Sequence, residues 1–146
     1  MTIVVATLGG IWSDRKVTDS SGLNCHGLRK VFRKDNLSFG LAGSIQAIVN
    51  APKCIGRLNH PDDFVELVGD HSVAVVVYDG SIWEVIDGYS LRMPGEVHAI
   101  GSGSDCARGF LAGRRAHTEK AIKAAIGFCS ILREDCGGGI DFVKCP

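Results

Sequence analysis

Between Val73 and Ile86 the sequence spells out a complete β-hairpin. Val73 to Val77 and Ile82 to Ile86 are apolar and rich in β-branched residues, and Asp79-Gly80-Ser81 separates them. An Asp-Gly pair tolerates the positive φ angles of a tight turn, and the flanking residues suit a pleated, buried surface. The pattern recurs. Residues 2–8 and 11–17 flank Gly9-Gly10, read as a two-residue turn, and Leu28 to Arg33 passes through Asp35-Asn36 into Leu37 to Ala42. A chain committed to this many local antiparallel pairs must build sheets and cover at least one face of each.

Helices supply the cover. Ser44 opens a helical pattern through Ile45, Ile48 and Val49 toward Pro52. A second helix begins at Pro61-Asp62-Asp63, where a proline in the first turn and two acids complement the helix dipole. Ser104 is read as the N-cap of a helix through Ala107 to Leu111. Thr118 caps a longer one, along which Ala121, Ile122, Ala125, Ile126, Cys129 and Leu132 return at helical spacing. Asp19 to Gly22 reads as loop, a short strand at Val97 to Ile100 follows a loop at Pro94-Gly95, and Ile140 to Val143 closes the chain after three glycines. Paired strands, two helices, paired strands, two helices and a final strand define one α+β domain over residues 1–146, with mostly antiparallel sheets.

Charge and composition remove several function classes. The 16 Lys and Arg balance 16 Asp and Glu, so neither a nucleic acid nor an anionic membrane surface is expected as a partner. The longest apolar run, Val73 to Tyr78, is far short of the ~20 residues that cross a bilayer. The opening residues lack a basic segment and a long apolar stretch, which predicts a cytoplasmic protein. The six cysteines form no C-x-x-C pair and no histidine stands at ligand spacing around them. They are expected to be buried thiols, with no metal and no cofactor.

One residue combines two reagents. Loss of Met1 would leave Thr2 with both a hydroxyl and a free α-amine, a nucleophile and its own base. The reference pKa of such an amine is about 7.7–8.0, so nearby positive charge would leave it a neutral proton acceptor at cellular pH. Lys30 is a candidate for that charge. Gly101-Ser102-Gly103-Ser104 ahead of a helix admits a different reading, a phosphate cradle. It has no Lys-Ser/Thr after it, and Cys106 stands where the third glycine of G-x-G-x-x-G belongs.

Taken in order, Asp14-Arg15-Lys16-Val17-Thr18, Arg29-Lys30-Val31-Phe32, Gly40-Leu41-Ala42-Gly43, Ile100-Gly101-Ser102-Gly103-Ser104, Ala112-Gly113 and Cys136-Gly137-Gly138-Gly139-Ile140-Asp141 span nearly the whole chain. This succession resembles the proteasome-like branch of the N-terminal nucleophile (Ntn) hydrolases, the proteasome β subunits and HslV-type peptidases, and in particular their short phage-like members. The resemblance implies a four-layer αββα sandwich and amide hydrolysis through an acyl-enzyme. It implies Thr2 as nucleophile, Lys30 as the tuning cation, Asp14 as its carboxylate partner, Gly43 as oxyanion donor and Ser102 as a hydroxyl near the amine. It further implies Leu41 and Ile45 as pocket walls and Thr18 on the strand that pairs with substrate; from the residues alone, Leu41 and Ile45 read equally well as core. The register follows from counting back from Asp14; counting forward from Ile3 would put Met1 at the nucleophile position. Relatives carry a carboxylate shortly before a Ser or Thr where this chain has Asp135-Cys136, leaving Asp135 a weak candidate. The implied partners are unfolded polypeptide, further copies of the chain in a ring or double ring, and an unfoldase ATPase. A ring-forming structural subunit of the same fold without activity is the alternative.

Overall fold

The structure is a computed structural model and describes residues 2–18, 24–25, 27–114, 117–133 and 136–146. Its strands are β1 (Ile3–Thr7), β2 (Gly10–Asp14), β3 (Val17–Thr18), β4 (Asn24–Cys25), β5 (Val31–Lys34), β6 (Leu37–Gly43), β7 (Ser72–Tyr78), β8 (Ser81–Ile86), β9 (Tyr89–Met93), β10 (Val97–Gly101) and β11 (Ile140–Lys144). Its helices are α1 (Ile45–Cys54), α2 (Phe64–Val68), α3 (Ser104–Leu111) and α4 (Glu119–Leu132). One sheet runs β10-β1-β2-β11 and another β5-β6-β7-β8-β9; β3 and β4 form a separate short ribbon. All pairings among the described strands are antiparallel.

Strand alternation sorts side chains into layers. Along β1, Ile3 and Val5 pack with Ala107 and Leu111 of α3 and with Ile122 and Ile126 of α4. Val4 and Ala6 point the other way, against Ala42, Val75, Val77 and Ile82 of the five-stranded sheet. On that sheet's far face Leu37, Phe39 and Leu41 meet Ile48 and Ala51 of α1 and Phe64 and Val68 of α2. The molecule is therefore an α+β four-layer αββα sandwich. No helix among the described residues is long and apolar enough to cross a membrane.

Most expected elements are present, with instructive differences. The Asp79-Gly80 turn forms with φ of 48° and 68° at its two residues, as a mirror-image turn requires. The Gly9-Gly10 turn works by another route. Neither glycine takes a positive φ; instead Thr7 Oγ1 accepts the N–H groups of Gly9 and Gly10, both at 3.2 Å. Gly10 opens β2, where a Cβ would fall 2.3 Å from the Phe142 ring. Helix α1 runs past Pro52 to Cys54, and Ser104 is the first residue of α3 rather than its cap. Thr118 caps α4 by accepting from Ala121 N at 3.2 Å, whereas Leu132 is exposed. Strand β9 was not anticipated. Asp19 to Gly22 lies outside the described residues.

Candidate active site

Thr2 precedes β1 and belongs to the alternation set of Val4 and Ala6, the set that faces the second sheet. It is buried, as are Asp14 at the end of β2 and Lys30 just before β5. The three side chains meet. Thr2 Oγ1 donates to Asp14 Oδ1 at 2.6 Å and accepts from Lys30 Nζ. Lys30 Nζ also donates to Asp14 Oδ1 at 2.9 Å and to the carbonyl of Lys16. An ammonium has three protons to donate, and all three are placed.

Asp14 is held from both ends of the chain. Its Oδ1 accepts the Ile3 N–H at 3.0 Å and its Oδ2 the Gly137 N–H at 2.9 Å. Gly137 O in turn accepts from Arg15 N and Lys16 N, fixing the backbone just beyond the carboxylate. Both charged side chains have no exposed surface. Such a pair is stable only when the remaining lone pairs and protons are also bonded, which is the case here. Burial holds the Lys30 ammonium below the usual lysine value, with Asp14 pulling the other way. A cation bonded to the threonine oxygen favours the alkoxide over the alcohol, and a lysine of lowered pKa shares a proton with it more readily.

The Gly101-Ser102-Gly103 turn serves this cluster. Gly101 has φ +94° and a Cβ there would lie 2.2 Å from the Thr2 carbonyl oxygen, so only glycine permits the approach. Gly103 N and Ser102 Oγ both donate weakly to that carbonyl, at 3.4 Å. Gly101 is thus explained by the Thr2 backbone and Gly103 by the Ile3 and Cys136 side chains 3.1 Å from where its Cβ would lie, which disfavours the phosphate-cradle reading.

The other expected site residues stand outside this side-chain cluster. Leu41 N bonds to Lys30 O at 2.9 Å, but the Leu41 side chain is fully buried in the cluster under α1 and α2 and offers no surface to a cleft. Period-2 alternation explains this: Leu41 shares its face with Leu37 and Phe39. Ile45 is 38% exposed on the first turn of α1. Gly43 takes φ +112°, and a Cβ there would meet the His71 carbonyl at 2.4 Å, so strand packing already requires glycine at the end of β6. Thr18 lies in β3, paired with Asn24 of β4. Cys136 is buried against the layer containing Ile3 and Cys129; Asp135 lies outside the described residues. Cys54, Cys106, Cys129 and Cys145 are free thiols, and burial pushes the Cys129 thiol up to about 12. The role of Gly137 as a donor to Asp14 was missed in the sequence, although the glycine run hinted at tight backbone there.

Fold and site together describe a two-sheet sandwich with a buried threonine, lysine and aspartate between the layers. Solved structures carry the same fold. BPH of Thiobacillus denitrificans in complex with epoxomicin superposes with a TM-score of 0.76 at 13% identity, covering 99% of this chain and 97% of that one. A further structure of Thiobacillus denitrificans BPH gives 0.74 at 13% identity, over 99% and 97%. Eukaryotic HslV from Trypanosoma brucei gives 0.69 at 18% identity, over 99% and 98%. At these identities the likeness is one of fold. No protein-family model matches the sequence, and no curated protein matches it either.

Proposed function

We propose that this chain is a threonine-type peptidase in which Thr2, freed at its amine by loss of Met1, attacks the carbonyl of an extended polypeptide. The observation that carries the reading is the buried contact of Lys30 Nζ with Thr2 Oγ1, completed by Asp14. In this mechanism the α-amine takes the Oγ1 proton as the C–O bond forms. The Gly43 N–H faces the developing oxyanion and Lys30 stabilises negative charge on the attacking oxygen. Collapse of the tetrahedral intermediate passes the proton to the leaving amine and leaves an ester on Thr2. Water, activated by the same amine, then releases the acid.

Substrate would lie along β3 beside Thr18, with Ile45 at the wall of the pocket for the residue before the cut. Ser102 keeps the Thr2 backbone in place. The natural substrates of such a site are unfolded polypeptides, admitted to a chamber formed by a cytoplasmic ring or double ring of identical copies, with an unfoldase ATPase as feeder. The fold neighbour solved with epoxomicin suggests the probe. Epoxomicin is expected to add covalently to Thr2, located by peptide mapping. Thr2→Ala abolishes the adduct while the domain stays folded, and Lys30→Ala slows its formation greatly. An adduct that survives Thr2→Ala, or a natively produced protein whose intact mass retains Met1, overturns the assignment.

A further inference from the structure

A cavity of about 220 Å³ opens between β10 and the C-terminal half of α3, and none of its described lining residues belongs to the Thr2 cluster. Val97 and Leu111 contribute apolar wall, and Arg108, Arg114, His98 and His117 contribute the polar lining. Among the described residues, no carboxylate lines it. Glu84, from the neighbouring sheet, bonds the His98 ring. The two guanidiniums and His117 remain.

Both guanidiniums are held in place without being used up. Arg108 Nη2 donates to the Ala99 carbonyl at 2.6 Å; its acidic neighbour Asp105 stands 3.7 Å away and is 97% exposed, a weak, screened contact. Arg114 lies over the Phe110 ring, 4.5 Å from its centre. A planar guanidinium has five N–H donors in a fork that matches a carboxylate. Here most of those donors have no hydrogen-bond partner among the described residues.

The backbone beside the cavity narrows the ligand further. Among the described residues β10 is the outer strand of its sheet and pairs only with β1. In an antiparallel ladder the N–H and C=O of one residue point to the same side, and sides alternate. Since the Ala99 carbonyl turns outward to Arg108, the main-chain groups of Val97 also face the free edge. Main-chain partners, an aliphatic wall and two guanidiniums together suit the end of a peptide better than a bare inorganic anion. We propose that this cavity binds the C-terminal carboxylate of a short peptide ending in an aliphatic residue. The last peptide unit bonds to the edge at Val97, the final side chain rests on Val97 and Leu111, and the carboxylate spans Arg108 and Arg114. This site is independent of chemistry at Thr2.

Calorimetric titration of the intact protein with the tripeptide Ala-Ala-Val tests it. The free-acid peptide binds, and amidating its C-terminus weakens binding about tenfold or more, as expected for loss of charge-assisted bonds. Arg114→Gln produces a similar loss; its side chain is exposed and lies over the Phe110 ring, so the fold is retained, which circular dichroism checks. Equal binding of acid and amide, or wild-type affinity in Arg114→Gln, shows that the peptide sits elsewhere and overturns the proposal. Absence of binding overturns it too, and inorganic phosphate binding as tightly as the peptide overturns the choice of ligand.

Discussion

Lys30 Nζ and Asp14 Oδ1 lie 2.9 Å apart with no solvent-exposed surface on either side chain, and the Thr2 hydroxyl bonds to both. Removing one member of a buried ion pair leaves the other without compensation, at a cost of about 3–5 kcal/mol. Lys30→Met and Asp14→Asn are each expected to destabilise by that order, whereas the double variant loses clearly less than the sum. Urea unfolding of the four proteins in a double-mutant cycle measures the coupling. Additive losses would show that the pair is not an energetic unit.

The threonine itself is less costly to lose. Thr2→Ala deletes one donor to Asp14 and one acceptor for Lys30, while Ile3 N, Gly137 N and the Lys16 carbonyl keep theirs. The expected destabilisation is about 1–3 kcal/mol, with epoxomicin labelling gone. Thr2→Ser retains the hydroxyl and keeps labelling. Adduct mass and urea midpoint, measured on the same samples, separate chemistry from stability.

The lowered Lys30 pKa has a signature in alkaline unfolding. Between its folded value and the ordinary 10.5, the unfolded chain binds the extra proton. Lys30 therefore makes stability rise with pH across that window. Cys129 and Cys145 act oppositely, since burial raises both above the ordinary 9.0 and the unfolded thiols lose protons first. Comparing the wild type with Lys30→Met/Asp14→Asn from pH 8 to 10.5 cancels the thiols. The wild type should gain on the double variant as pH rises; a constant difference would mean that Lys30 keeps an ordinary value.

Two glycines of neighbouring elements should respond in opposite directions to alanine. Gly101→Ala puts a Cβ 2.2 Å from the Thr2 carbonyl at φ +94°, and is expected to lower stability by about 1–3 kcal/mol or more and to displace Thr2. Gly109→Ala, exposed within α3 with nothing within 4 Å, should add about 0.5–1 kcal/mol. Thermal unfolding and probe labelling of both variants check the contrast.

The layered fold was legible because its elements are local. Asp79-Gly80 forms the turn its residues prescribe, and the apolar stripe of α4 lies on the layer below it, apart from Leu132 at the frayed end. β9 was not legible. It is an outer strand with largely exposed side chains, so no alternation marks it, although Asp87-Gly88 ahead of it takes the same positive φ pair as Asp79-Gly80. The site was readable as a set of residue types, since Thr2, Asp14 and Lys30 do meet, but their partners were not. Gly137 donates to Asp14 from a distant loop, and no local pattern announces a contact across that separation. Leu41 shows the converse: the resemblance implied a wall, the residues alone read equally well as core, and alternation places it in the core.

The bond from Gly137 N to Asp14 Oδ2 joins residues 123 positions apart. A growing polypeptide has Thr2, Asp14 and Lys30 early, yet the aspartate's second oxygen is not anchored until Gly137 has been made and has reached it. The full set of bonds around Asp14 is thereby a property of the assembled sheet and not of the first hairpin alone.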